Sequence, residues 1–157
     1  MKYRNSMALA LGMVLGMAAL PVLAADHNDH HDHDAVAGLT LNNGKKWETD
    51  QPLRTGMVNI RALVEQHART GAGNVDARKY NELSANIDKE VNHIFQNCHL
   101  DKKADDALHR ILVDIMQGSA AAGGKRAGVK RETGIVQLRH GLENYGKYFN
   151  HPGWRPL

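Results

Sequence analysis

Histidine and aspartate crowd one short stretch of the chain, Ala25-Asp26-His27-Asn28-Asp29-His30-His31-Asp32-His33-Asp34. Imidazoles and carboxylates are the side chains that take divalent transition metals. The order of the first three residues sets the geometry. A free α-amine on Ala25, two deprotonated amide nitrogens and the His27 imidazole form a square-planar four-nitrogen chelate, which suits Cu(II) or Ni(II). His30, His31 and His33, with the aspartates between them, add weaker ligands. The metal set read from this tail is Ala25, Asp26, His27, His30, His31 and His33. Copper(II) is the expected ion, with nickel or zinc as alternatives.

The chelate needs a chain cut just before Ala25, and the preceding residues supply one. Lys2 and Arg4 form a charged start, residues 7–20 are an apolar run, and Pro21-Val22-Leu23-Ala24 is a permissive cleavage site. Residues 1–24 therefore read as a cleaved signal peptide, which implies export to the periplasm. The run is short for a membrane span, so no membrane insertion is expected after cleavage. No cysteine stands at the cut to carry a lipid anchor. Val22 and Ala24 before the cut favour this site over the one after Ala25, which would put His27 second and spoil the planar set. The same tract also reads as a solvated, disordered tail, since it buries no apolar surface.

A second group could hold a soft ion. Thioether, thiolate and imidazole together suit Cu(I) or Zn(II), and Met57, Cys98 and His99 offer one of each. No tight ligand spacing such as Cys-x-x-Cys joins them. Met57 and Cys98 both fall on apolar stripes, where they read equally as a gap-filling methionine and a small buried hydrophobe. A non-covalent haem between Met57 and His140 or His151 is a further reading. Covalent haem is excluded, because Cys-x-x-Cys-His is absent. Nothing points to an enzyme. Glu90 to His93 has di-iron spacing but occurs once, and there is no nucleophile elbow or phosphate loop.

The remaining residues must position these groups. Removing the signal takes Lys2 and Arg4, so the formal excess of three positive charges falls to one. That balance, with no basic stripe, gives no nucleic-acid signature. Cys98 is the sole cysteine, so no intramolecular disulfide can form. Residues 25–49 read as tail and linker, and residues 50–157 as one small domain.

The domain shows four helical stripes. Asp50 is a candidate N-cap, Pro52 sits in the first turn, and Leu53, Met57, Ile60, Val64 and His67 follow at spacings of three and four. The second stripe starts near Asp76 and runs Tyr80, Leu83, Ile87, Val91, Ile94, Phe95, Cys98. Asp101 caps the third, which carries Ala104, Leu108, Ile111, Leu112, Ile115 and Met116. The fourth is interrupted by Gly128 and Gly134 and becomes clear from Ile135 through Leu138, Leu142, Tyr145 and Phe149. No strands are expected. The fold expected is all-α, an antiparallel up-down-up-down four-helix bundle with a disordered N-terminal tail. Its topology gathers Trp47, Met57, Cys98, His99, Leu108, His109, Tyr145, His151 and Trp154 at one end. The two tryptophans are expected to cap the Cys98 end, with Cys98 buried.

Three motifs carry a resemblance: residues 41–57 with Asn42-Asn43-Gly44-Lys45-Lys46-Trp47, Asn97-Cys98-His99-Leu100 with Ala107-Leu108-His109, and the tail from Tyr145 to Trp154. Together they resemble small exported bacterial proteins labelled DnrO-like. The resemblance implies a periplasmic helical bundle, a His-rich N-terminal tail and a connection with metal handling. It implies no DNA binding, since an exported chain does not meet DNA. The function expected is metal buffering or delivery, with metal ions and an envelope protein as partners. The alternatives are an envelope accessory module with no metal role in the bundle, and a haem or ligand carrier.

Overall fold

Four helices account for almost all the regular structure in the computed structural model, which describes residues 38–70 and 76–157. The expected signal peptide and His/Asp tail, residues 1–37, lie outside the described residues, as does the stretch 71–75. The described residues belong to one compact unit. They form α1 (Gln51–Arg69), α2 (Ala77–Asn97), α3 (Lys102–Ala122) and α4 (Arg131–Tyr148).

Local chemistry sets the helix starts. The Asp50 carboxylate accepts from Leu53 N–H, Asp76 from Lys79 N–H, and Asp101 from Lys103 and Ala104 N–H. Each aspartate satisfies at least one donor that the first turn leaves without a helical partner, and its charge sits at the positive end of the helix. Helix α4 lacks such a cap, because Lys130 stands at its N-cap position. Instead Arg131 reaches back and donates to the carbonyl of Ala122, at 2.7 Å, so one side chain starts α4 and closes α3.

The stripes bury as a three-four period requires. Leu53, Met57 and Ile60 of α1, Ile87 and Ile94 of α2, Ile111 and Ile115 of α3, and Leu138 and Tyr145 of α4 meet in one core. Neighbours in sequence are neighbours in space, and antiparallel: Gly56 of α1 lies against Ile94 of α2, and Ser84 of α2 bonds Ser119 of α3. Gly118 of α3 lies against Gly134 of α4. This is the expected all-α, four-helix bundle.

Several expectations need correction. Phe95 and Met116 belong to the apolar stripes of the sequence, yet both are exposed, at 45% and 43%. They sit at the edges of their stripes, where the apolar arc is wider than the buried one. Gly134 does not interrupt α4, which begins before it. A β-carbon there would collide with the Ala122 backbone, so the missing side chain lets α3 and α4 pack closely. Phe149 is not helical. It opens β2 (Phe149–Asn150), which pairs in parallel with β1 (Trp47–Glu48), so a short strand pair exists where none was expected.

The linker is also more structured than its composition suggested. Asn42 and Lys45 pair across Asn43-Gly44, with Asn43 at φ 51° and Gly44 at φ 81°. Both positive angles match a tight hairpin turn, for which Asn-Gly is the favoured pair. The turn brings Leu39 and Trp47 into the core, and Trp47 Nε1–H donates to Thr40 O at 2.8 Å.

Candidate functional site

The first helix start and the α2–α3 connection meet at Asp50. Its Oδ1 accepts from Leu53 N–H at 2.9 Å and its Oδ2 from His99 N–H at 2.6 Å. The Cys98 thiol donates to the same carboxylate. A single aspartate therefore caps α1 and holds the chain where α2 ends, which is why its type matters more than its position on a helix wheel.

Cys98 is the C-cap of α2, its N–H donating to Ile94 O, and it is half-buried against the core rather than enclosed. Burial pushes its thiol up to about 12, and the Asp50 charge and hydrogen bond, with Asp105 further off, add to that. The sulfur stays protonated at neutral pH, which suppresses both nucleophilic attack and metal ligation.

Tyr145 of α4 is the largest fully buried side chain at this end. Burial raises its phenol above the ordinary range. Arg54 opposes that shift, while Cys98 and Asp50 support it. The hydroxyl lies 2.9 Å from His151 Nδ1. His151 is half-buried, and burial, then Arg54, holds its pKa below the ordinary value. Phe149 stacks on Tyr145 at 5.4 Å between ring centroids, and Trp154 meets Tyr145 edge-on at 4.8 Å.

Both tryptophans reach this end, as the topology required. Trp154 covers α4, while Trp47 pairs with β2 and lines a cleft with Lys103 and Ala107 of α3. Trp154 lies over Gly146, whose added β-carbon would fall 2.5 Å from the indole nitrogen, and Trp47 is in register with Phe149. The indole N–H of Trp154 is buried with no hydrogen-bond partner, held by its ring contacts rather than by polarity.

The three residues of the soft-ion set differ in exposure, with Cys98 half-buried. Met57 is fully enclosed in the core. His99 is exposed, and its Nδ1 lies 2.8 Å from Asn97 O. Among the described residues, no group of three or more His, Cys, Asp or Glu side chains is arranged to hold a metal ion. Of the haem candidates, Met57 is in the core, while His151 is engaged with Tyr145. Ala25, Asp26, His27, His30, His31 and His33 lie outside the described residues.

At the opposite end, the His67 ring of α1 meets the Tyr80 ring of α2 at a tilt of 55°, 4.6 Å between centroids. Burial and then Lys79 lower its pKa. Among the described residues no helix is long and apolar enough to cross a membrane. The functional contribution that sequence reading missed is that of Asp50 and Arg54. Asp50 was legible as a cap but not as the partner of Cys98 and His99. Comparison with protein-family models, characterised proteins and solved structures returns no match.

Proposed function

We propose that this is an exported metal-binding protein that holds copper(II) on the N-terminus exposed by signal cleavage and buffers or delivers the ion. The observation that carries the reading is the placement of His27 third from a cleavage site at Ala24, inside a run of further histidines and aspartates. The bundle serves as a scaffold and docking surface, with metal ions and an envelope protein as partners. Binding, not catalysis, is its work, and its place is the periplasm, among the proteins labelled DnrO-like.

Mass spectrometry of the exported protein and a copper titration test this together. The expected terminus is Ala25. One equivalent of Cu(II) should give the visible band of a four-nitrogen complex, strengthening as pH rises, because amide protons must leave. His27→Ala should abolish the band, and His30→Ala should spare it. A terminus at Asp26, or a band that survives His27→Ala, would sink the reading.

A further inference from the structure

We infer that His151 is a proton-operated latch on the clasp that joins the two ends of the described chain. In its neutral form it holds Tyr145 and keeps β1 and β2 together; protonated, it lets them part. The inference stands on the bundle alone and is independent of the metal reading.

The geometry is a ring cluster sewn onto the clasp. His151 directly follows β2, and its carbonyl accepts from Trp154 N–H at 3.0 Å, closing a turn through Gly153 at φ 79°. That turn folds the indole back onto Tyr145. Imidazole and indole centroids lie 5.1 Å apart, and imidazole and phenol 5.7 Å. The phenol is fully buried, so its proton must rest on an acceptor. His151 Nδ1 is that acceptor, and the tautomer is assigned on this ground. An imidazolium carries hydrogen on both nitrogens and accepts from neither. The imidazolium can then donate to the phenol oxygen only if the phenol's own proton swings away from His151, and that buried hydroxyl has no other hydrogen-bond partner among the described residues, so protonation strains the contact.

The surrounding charges work in the same direction. Arg54 of α1 opposes a positive imidazole. Lys46, ahead of β1, and Lys147 of α4 line the cleft beside His151, with Glu143 of α4 as the single acidic group there. Trp47 and Phe149 anchor the clasp in the core, but its polar contacts are slight. Beyond the strand pair it is held by Thr49 Oγ1–H to Asn150 O at 2.7 Å, Asn150 Nδ2–H to Glu48 at 3.1 Å, and Lys46 Nζ–H to Gly146 O at 2.6 Å, all exposed. Exposed hydrogen bonds of this kind mark segments that open before the core does.

The direction follows from linkage. The closed clasp lowers the affinity of His151 for a proton, so the open form binds the proton better. Closure is fully favoured above about pH 6.5 and weakens as pH falls towards the lower value of the closed form. The opening constant rises by at most about tenfold per pH unit across that window.

Hydrogen exchange on the full mature chain, corrected for the intrinsic pH dependence of exchange, reads this directly. From pH 7.5 to 5.5 the amides of Trp47, Glu48 and Asn150 should lose protection at least threefold, while the centres of α2 and α3 keep theirs. His151→Gln should abolish that pH response, and His67→Gln should leave it intact. An unchanged clasp in the wild type, the same loss in His151→Gln, or a response removed by His67→Gln would each overturn the latch. If His151→Gln leaves the clasp open at both pH values, nuclear magnetic resonance titration of His151 in the wild type decides. The exchange midpoint must then coincide with the protonation midpoint of His151, and separate midpoints would refute the coupling.

Discussion

Asp50 serves three donors with one carboxylate, so its loss should be felt at more than one element. Asp50→Ala removes a cap worth about 1 kcal/mol and leaves the His99 amide and Cys98 thiol short of an acceptor. The expected cost is about 2–3 kcal/mol by urea denaturation, with Asp50→Asn losing less because an amide oxygen still accepts. The thiol offers a second reading of the same residue. With its pKa pushed up to about 12, Cys98 is held in the thiol form at pH 8. A bulky aromatic disulfide should react slowly with native protein and quickly in denaturant. Asp50→Asn should speed the native reaction, because a neutral amide no longer opposes the thiolate. Equal rates in both variants would show that access alone, not charge, protects the sulfur.

Histidines also make the bundle acid-sensitive away from the clasp. Burial and Lys79 lower the pKa of His67, so the folded form binds its proton less well than the unfolded chain. The stability this contributes is present above about pH 6.5 and is lost as pH falls towards the folded value. Urea midpoints should therefore drop between pH 7.5 and 5.5, and His67→Gln should reduce that drop.

At the scale of elements, the α3–α4 contact depends on the absence of a side chain. Gly134→Ala drives a β-carbon into the Ala122 backbone, where no rotamer change can relieve it. We expect a loss of about 2 kcal/mol or more. Gly128→Ala is the comparison: it meets open space, and only its φ of 73° is unfavourable, at about 1 kcal/mol. If the two variants were equally stable, backbone strain and not helix approach would be the controlling effect. Gly134 also shows where sequence was readable and where it was not. Periodicity located all four helices, and the aspartate caps fixed three of their starts. A glycine inside a pattern, however, reads alike whether it breaks a helix or admits a neighbour. Phe95 and Met116 failed for a related reason, since hydrophobicity marks the apolar arc and only packing decides which part is covered. The hairpin turn did leave a signal in Asn43-Gly44. The parallel pairing of β1 with β2 left none, because strands of two residues show no alternation. Of the candidate site, the shared end of Tyr145, Cys98 and His151 followed from topology. The bond between Tyr145 and His151 did not, because it depends on the turn at Gly153.

For the whole molecule, the C-terminal segment is a structural member and not a trailing end. Phe149 lies in the core, Trp154 and Leu157 pack against it, and the Arg155 carbonyl accepts from Arg61 at 2.7 Å. Deleting residues 149–157 should unpair β1, uncover Trp47 and Tyr145, and lower the midpoint of thermal unfolding by several degrees or more. Near-ultraviolet circular dichroism should weaken sharply, with far-ultraviolet helix signal largely retained. A full-strength aromatic spectrum after truncation would mean that the four helices order this end unaided.

The clasp has a temporal consequence. Glu48 and Asn150, whose side chains bond across it, are 102 residues apart in sequence. Closing so long a loop costs about 4 kcal/mol of chain entropy before any contact repays it. The partner of β1 is also synthesised about a hundred residues after it. A nascent chain can form α1 and α2 as a local pair, but it cannot lock β1 in place until β2 has been made. A chain threading a narrow pore from its N-terminus would meet the same delay. Closure of the clasp is thus a report that all four helices have been made, and a chain stalled before Phe149 is left unlocked.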